Sequence, residues 1–194
     1  MKIAVGGSAA NVPHFGHKKL VEAVVSTKKF DQVRWIVSGD RSDKPGMPKS
    51  KYRYEMGKML FATNNDVTVL YEPEEAIPTF QVITNLKTCC PEAEIIWYCG
   101  ADHFVPRKKF NDRCDVLGFW DYGEELFENQ KFLIIPRKGV DMSMLQLPKN
   151  YQILDVNIPE ISSTEIRYKI ANGRNVIETL PEIVKYSAKF QLYK

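Results

Sequence analysis

The sequence predicts an α/β fold in which a parallel sheet is covered by helices on both faces. Short runs rich in β-branched and aromatic residues alternate along the chain with longer segments that carry apolar residues at helical spacing. This alternation is typical of βαβ units, because two parallel strands need a helical crossover between them. The chain has 194 residues, 44% of them hydrophobic, which is enough for one ordinary core. We therefore predict a single domain over residues 1–194, with a helical C-terminal part at about 160–194.

Six apolar runs bounded by turn residues are the predicted strands, and six further segments are the predicted helices. The strands are Ile3–Val5, Asp31–Ser38, Val67–Leu70, Glu94–Cys99, Lys131–Ile135 and a short run that suits a sheet edge, Gln152–Val156. The helices are Lys18–Val25, Tyr52–Ala62, Pro78–Lys87, Asp121–Asn129, Ser163–Asn172 and Pro181–Phe190. In such sheets ligands bind beyond the carboxyl ends of the strands, so the loops that follow strands form the candidate site.

Charge and composition narrow the class of protein. The net charge of +3 suits an anionic small molecule, whereas the sequence lacks the long Lys/Arg run of a nucleic-acid-binding surface. No apolar run approaches the length of about 18 residues that a membrane-spanning helix needs, and the chain opens directly into a strand without a secretory signal. The four cysteines lack paired C-x-x-C spacing, as is typical of reduced thiols. We therefore expect a cytoplasmic protein that binds neither nucleic acid nor a membrane.

The first motif is a segment, Gly6–His17, that follows the first strand and precedes the first helix. A strand, a Gly-rich turn and a helix start make an anion site, because unpaired backbone N–H groups point outward there and the helix dipole favours negative charge. Gly7 and Ser8 would supply such N–H groups, and two of the chain's three histidines, His14 and His17, add side-chain donors for phosphoryl oxygens. The alternative is a Gly-rich turn with two ordinary histidines at a helix start.

The second motif is Ser162–Arg167, which begins the predicted penultimate helix. Ser162 and Glu165 have the spacing of a capping box, and this alone would account for the motif. A functional interpretation adds that Ser163 and Thr164 place hydroxyls beside free N–H groups. Arg167 lies one turn further along, where its guanidinium could reach the same anion. The residues alone leave both interpretations open.

Together the two motifs resemble the nucleotidyltransferase superfamily of adenylyl- and cytidylyltransferases. His14-x-Gly-His17 is paired with Ile-Ser-Ser-Thr-Glu-Ile-Arg167, whose terminal arginine is typical of the bacterial nicotinate-mononucleotide adenylyltransferases. Further matches span the chain: Lys44-Pro45, Arg53-x-x-Met56, Gly100-Ala101-Asp102, Arg137-Lys138-Gly139 and Leu180-Pro181-Glu182. The resemblance implies a Rossmann-like doubly wound sheet and adenylyl transfer from ATP to nicotinate mononucleotide, with release of pyrophosphate, in NAD biosynthesis.

The resemblance also assigns residues to the ATP half of the site. His14 and His17 would contact the bridging and α-phosphate oxygens, and the β- and γ-phosphates would be held by Ser163, Thr164 and Arg167. Lys44 is a candidate phosphate clamp, and Arg137 is a weaker one. Mg²⁺ would be carried by the ATP phosphates, without a protein ligand.

The ribose and the acceptor have their own implied residues. Asp102 would accept hydrogen bonds from ribose hydroxyls, while Gly100 lets the nucleotide approach. Thr79 and Thr84 lie where the family binds the mononucleotide, and Phe110 stands where the family often stacks a tryptophan on the pyridine ring. We expect ATP and a pyridine mononucleotide as ligands, and the sequence leaves open whether Trp120 lines the acceptor pocket or an interface.

The chain departs from the family pattern at Phe110, at Thr79–Thr84, which match the family's helix start only loosely, and in two further places, and alternatives follow from these departures. The first loop is one residue longer than usual over Ala9–Pro13, and Asp43 replaces the histidine that normally precedes Lys44. One alternative is an adenylyltransferase with another phosphate acceptor, either nicotinamide mononucleotide or phosphopantetheine. Another is a nucleotide-binding module without turnover. Homo-oligomerisation also stays open.

Overall fold

The computed structural model describes residues 1–194 and contains a single six-stranded parallel sheet in the order β3-β2-β1-β4-β5-β6. The strands are β1 (Lys2–Ser8), β2 (Gln32–Val37), β3 (Val67–Tyr71), β4 (Glu94–Gly100), β5 (Lys131–Ile135) and β6 (Asn150–Ile153). The helices are α1 (Phe15–Ser26), α2 (Ser50–Leu60), α3 (Thr79–Cys89), α4 (Asp115–Gly118), α5 (Gly123–Asn129), α6 (Ser163–Ala171) and α7 (Pro181–Lys189). The predicted doubly wound, Rossmann-like α/β fold is confirmed.

The strand order reverses at β1, which lies between β2 and β4. Val5 pairs with Arg34 of β2 on one side and with Trp97 of β4 on the other. The chain therefore leaves β1 and β4 toward opposite faces of the sheet, and the crevice beyond their carboxyl ends is the usual ligand position. The loop after β1 opens directly onto this crevice.

Two apolar layers cover the sheet, one on each face. Ala4 of β1 packs in the layer that contains α1, α2, α6 and α7, whereas its neighbours Ile3 and Val5 pack in the layer of α3, α4 and α5. This alternation follows from the pleat, since successive side chains of a strand point to opposite faces. The C-terminal helices join the first layer through fully buried Ile166 and Ile183, and α6 thereby begins beside the loop after β1.

Several element bounds differ from the sequence prediction. β1 continues to Ser8 instead of ending at Val5, and β6 begins at Asn150 and ends at Ile153. All four residues of β6 are exposed, so this edge strand lacks the apolar alternation that marks a strand in a sequence. The short helix α4 was not predicted, because four residues are too few to show helical periodicity.

Two observations bear on the class of protein. None of the helices has both the length and the apolar character required to cross a membrane. The four cysteines are all free, and Cys99 and Cys114 are buried in the layer of α3, α4 and α5.

Candidate active site

The glycines after Val5 belong to β1, and the predicted Gly-rich turn is therefore wrong. Gly6, Gly7 and Ser8 continue the parallel pairing with β2. A glycine is needed at position 6, since a Cβ there would lie 2.4 Å from the ring of Tyr98. The glycine thus provides close packing within the sheet. The loop itself starts at Ala9, where the hydroxyl oxygen of Ser8 accepts a hydrogen bond from the Ala10 N–H at 3.2 Å.

Side chains that are remote in sequence hold the loop through its carbonyl oxygens. Four of its carbonyls accept such hydrogen bonds: Ala9 from Arg53, Asn11 from Arg167, Val12 from Ser163 and Pro13 from Thr179. By contrast, the N–H groups of Ala9 and Asn11 donate to no protein acceptor. The protein therefore binds four carbonyl oxygens of the loop, whereas two of its N–H groups are left free.

His14 and His17 cap the start of α1 and also keep a free donor each. Nδ1 of His14 accepts from the Gly16 N–H at 3.1 Å, and Nδ1 of His17 accepts from the His14 N–H at 3.2 Å. The two rings lie 3.9 Å apart between centroids. Because each Nδ1 acts as an acceptor, the proton of each neutral ring resides on Nε2. The capping role and the donor role are thus compatible in the same side chains.

Both histidines are uncharged at neutral pH. Burial, and then the positive charge of Arg137, lower the pKa of His14 from 6.5 to about 4. The pKa of His17 is also well below 6.5, because of burial first and the neighbouring His14 and Arg137 next. The rings are therefore neutral hydrogen-bond donors in the free protein, and an anion binding beside them would favour their protonation.

A cleft of about 460 Å³ lies between the loop, the segment after β2 and the start of α6. It is lined by Ser8, Ala9, Ala10, Asn11, His17, Lys44, Pro45, Gly46, Met47, Ser163, Thr164 and Arg167. No acidic side chain is among them, whereas Lys44 and Arg167 bring positive charge. Burial and the nearby Arg41 are the main causes that lower the pKa of Lys44. Lys44, which is exposed, and Arg167 make the cleft suitable for a polyanion.

The start of α6 contributes free N–H groups to this cleft. The Ser162 hydroxyl accepts from the Glu165 N–H at 3.4 Å, as the predicted cap requires. The reciprocal contact is absent, because the Glu165 carboxylate lies 3.1 Å from Lys169 instead. The N–H groups of Ser163 and Thr164 donate to no protein acceptor. Two donors at a helix start therefore face an anion site, where the helix dipole adds to their effect.

The hydroxyls of Ser163 and Thr164 have protein partners. Ser163 donates to the Val12 carbonyl at 3.3 Å, and Thr164 accepts from Nη2 of Arg167 at 3.0 Å. Both side chains hold the walls of the cleft together, and Arg167 is fixed between Thr164 and the Asn11 carbonyl. The structure brings Ser163, Thr164 and Arg167 together at one cleft, and the sequence did not predict these contacts.

Asp102 and Arg137 form an ion pair on the adjacent side of the histidines. Nε of Arg137 lies 3.1 Å from Oδ1 of Asp102, which is buried and has no hydrogen bond of acceptable geometry. A Cβ at Gly100 would lie 2.4 Å from that oxygen and 2.6 Å from Nε of Arg137. The missing side chain of Gly100 makes room for this ion pair, and its expected role in letting the nucleotide approach stays a prediction.

The three residues expected to bind the acceptor lie outside the cleft. Thr79 begins α3 and is half-buried. Thr84 donates to the Phe80 carbonyl at 2.9 Å and lines a separate groove between α3 and α5. Phe110 packs against Phe119, with 6.0 Å between the ring centroids. The structure therefore does not bring Thr84 or Phe110 together with the phosphate-binding residues.

Other residues near β4 had no role in the sequence prediction. His103 follows Gly100-Ala101-Asp102 directly; its Nδ1 lies 3.3 Å from Asp115, and its ring centroid is 5.4 Å from that of Trp120. Asp115 also accepts from Nε of Arg107 at 2.6 Å. The sequence offered one reason to single out His103, because this residue directly follows the Gly-Ala-Asp motif. No group of three or more His, Cys, Asp or Glu side chains in the chain could hold a metal ion.

Comparisons with known proteins agree with this geometry. A sequence model of the family described as "Cytidylyltransferase-like" matches residues 5–169. A relative from Exiguobacterium sibiricum, named "Probable nicotinate-nucleotide adenylyltransferase", is 28% identical over 191 residues, which cover 95% of this chain and 94% of the relative. A relative of the same name from Leifsonia xyli is 29% identical over 198 residues, covering 100% and 94% of the two chains.

A solved structure shows the same fold. Plasmodium falciparum nicotinic acid mononucleotide adenylyltransferase complexed with NaAD matches with a TM-score of 0.78 at 19% identity, over 99% of this chain and 97% of that chain. The family match begins within β1 and ends at Lys169 of α6, and it includes both motifs of the cleft. The chain therefore belongs to the cytidylyltransferase-like family and is a nucleotidyltransferase.

Proposed function

We propose that the protein transfers the adenylyl group of ATP to nicotinate mononucleotide, giving nicotinate adenine dinucleotide and pyrophosphate in NAD biosynthesis. The observation that carries the proposal is the cleft itself, which combines the neutral His17, Lys44, Arg167 and a helix start, without an acidic side chain. The ring of His14 lies beside that of His17, with 3.9 Å between the centroids. The names of the two relatives support the choice of acceptor.

The reaction needs no general base. A phosphate monoester is already anionic at neutral pH, so an oxygen of the acceptor phosphate attacks the α-phosphorus of ATP in line. The new P–O bond joins the two nucleotides, while the bond between the α-phosphorus and the bridging oxygen breaks. Its electron pair leaves with pyrophosphate. Catalysis then consists of positioning and of stabilising the charge on the phosphoryl oxygens.

The residues of the cleft have distinct roles in this proposal. Lys44, Arg167 and the free N–H groups of α6 hold the β- and γ-phosphates, where the negative charge of the leaving group develops. His14 and His17 donate through Nε2 to oxygens of the α-phosphate. Arg137, oriented by Asp102, attracts the phosphate of the acceptor. Mg²⁺ enters as Mg·ATP, because the cleft offers no carboxylate to hold the ion alone.

The proposal is tested by pyrophosphate release with Mg·ATP and a panel of acceptors: nicotinate mononucleotide, nicotinamide mononucleotide and phosphopantetheine. We expect nicotinate mononucleotide to give the highest kcat/KM. His17→Ala should lower turnover by roughly two decades, because a donor to the transition state is lost. His17→Asn separates the two roles of this residue, since asparagine can still accept from the His14 N–H but lacks the Nε2 donor. Lys19→Ala, an exposed change on the same helix, is the matched control.

Two results would contradict the proposal. Binding of ATP without pyrophosphate release on any acceptor would indicate a nucleotide-binding module. Wild-type turnover in His17→Ala would show that the loop does not take part in the reaction.

A further inference from the structure

Arg53 of α2 is a fully buried arginine whose guanidinium joins three separate segments. Its Nε donates to the Pro48 carbonyl at 2.7 Å, its Nη1 to the Ala9 carbonyl at 2.5 Å and its Nη2 to the Gly39 carbonyl at 3.0 Å. None of the side chain is accessible to solvent. Three backbone carbonyls are therefore the main partners of this guanidinium.

The burial of this cation is compensated by those carbonyls and by one carboxylate at a longer distance. Burial is the largest cause that lowers the pKa of Arg53, and the carboxylate of Asp40, 3.6 Å from Nη2, acts against it. Asp40 also contacts Lys49 and the Ser50 N–H, so Arg53 does not hold it alone. A planar fork of donors can serve three acceptors in fixed directions, which the compact ammonium group of lysine cannot do.

The three carbonyls belong to the two loops that form the cleft. Ala9 is the first residue of the loop after β1 and lines the cleft itself. Gly39 and Pro48 lie at the two ends of the segment that carries Lys44. Gly39 is a firm anchor, because its N–H donates to the buried carboxylate of Glu72 at 2.7 Å. One guanidinium therefore sets the distance between the wall that contains Lys44 and the wall that contains the loop.

We propose that Arg53 is a positioning residue for adenylyl transfer, which fixes the loop after β1 relative to the Lys44 segment so that both meet the triphosphate. Arg53 touches no substrate in this scheme. The inference rests on the proposed function, but its effect on ATP binding can be measured separately. Loss of the contact lets the two walls separate, and a displacement of about 1 Å in a reacting site can cost on the order of a hundredfold in rate.

The test compares Arg53→Lys and Arg53→Met with the wild-type protein. Lysine keeps the charge and methionine removes it, so a folding failure caused by an uncompensated buried charge would not affect both variants. Lys49→Met is the matched control, because it removes the exposed partner of Asp40 and leaves the three carbonyl contacts in place. The melting temperature of each variant is measured first, and kinetics are recorded well below it. The readouts are kcat and KM for Mg·ATP and for nicotinate mononucleotide, together with the calorimetric Kd for ATP.

We expect both Arg53 variants to lose roughly ten- to a hundredfold in kcat/KM for ATP, with the KM for nicotinate mononucleotide within about threefold of wild type. Lys49→Met should stay within about twofold of wild type in every constant. A purely structural arginine would lower the melting temperature and leave the kinetic constants of the folded protein unchanged, and that result would overturn the inference.

Failure of the proposed function has a different signature. If the wild type binds ATP but releases no pyrophosphate with nicotinate mononucleotide, that function is refuted. The role of Arg53 is then decided by the Kd for ATP. An increase of about fivefold or more in the Arg53 variants supports the role, and an unchanged Kd refutes it.

Discussion

The neutral histidines at the start of α1 predict that the protein loses stability in mild acid. His14 has a pKa of about 4 in the folded protein, against 6.5 for an unperturbed histidine, because it is buried and faces Arg137. Between these two values the unfolded chain binds more protons than the folded one, so the free energy of unfolding falls as the pH decreases. One proton changes the free energy of unfolding by roughly 1.4 kcal/mol per pH unit. Between the two pKa values, His14 therefore lowers this free energy by about 3 kcal/mol.

The substitution His14→Asn should remove this contribution. Asparagine is a favourable N-cap residue whose side-chain oxygen can accept the Gly16 N–H in place of Nδ1, and it does not titrate. We expect the free energy of unfolding of the wild type to fall by about 3 kcal/mol more than that of the variant between pH 7 and pH 4. Carboxylates whose pKa is lowered, such as that of Asp40, lose their contribution mainly below this window and do so in both proteins.

Urea unfolding followed by tryptophan fluorescence, at half-unit steps from pH 7.5 to pH 4, provides the measurement. Parallel curves for the two proteins would refute the neutral state of His14 in the folded protein. A wild type that becomes more stable on acidification would show that His14 binds its proton more tightly when folded, which is the opposite of the expected sign.

Four further predictions concern the loop, the phosphates, the metal ion and the acceptor. Thr179→Val should lower the free energy of unfolding by about 1–3 kcal/mol in urea titrations, because the buried Pro13 carbonyl loses its donor. Arg167→Lys should reduce kcat/KM for ATP by roughly ten- to a hundredfold, since an ammonium group cannot replace a guanidinium that is held in place and contacts phosphate. EDTA should abolish pyrophosphate release and Mg²⁺ restore it, with no Mg²⁺ bound in equilibrium dialysis without ATP. Phe110→Ala and Trp120→Ala identify the ring that contacts the pyridine, since only loss of that ring should raise the KM for the mononucleotide. A wild-type KM in both variants would exclude both rings.

The central strands could be predicted because both of their faces are buried. β4 and β5 each contain a continuous run of buried residues, and β2 ends in one, Trp35–Val37. Their predicted bounds agree with the structure to within a residue. β6 is exposed throughout and was displaced by two to three residues in the prediction. The end of β1 was misjudged because its glycines were interpreted as turn residues. The requirement for glycine at position 6 comes from the ring of Tyr98, which lies far along the chain and is not visible in local sequence.

The site was predictable to the extent that topology determines it. Loops after parallel strands converge at one edge, so the histidine loop, Lys44 and the start of α6 could be placed together from the order of strands and motifs. The contacts that fix the loop could not be predicted, because Ser163 and Thr179 reach it across 151 and 166 residues of sequence. Nor could the contact between Phe110 and Phe119 be foreseen, since it depends on short turns without periodicity.

In the loop after β1, carbonyl oxygens and N–H groups differ in whether they have protein partners. An irregular loop normally exposes as many carbonyl oxygens as N–H groups, and carbonyl oxygens repel a triphosphate. Here four side chains bind the carbonyls of residues 9, 11, 12 and 13, while the N–H groups of Ala9 and Asn11 remain without protein partners. Each neutral histidine keeps its Nε2 donor free, and the four bound carbonyls of the loop are directed into the protein. Arg53 and Arg167 therefore contribute by binding carbonyls as well as by their charge, and their replacement should impair ATP binding even where the fold is retained.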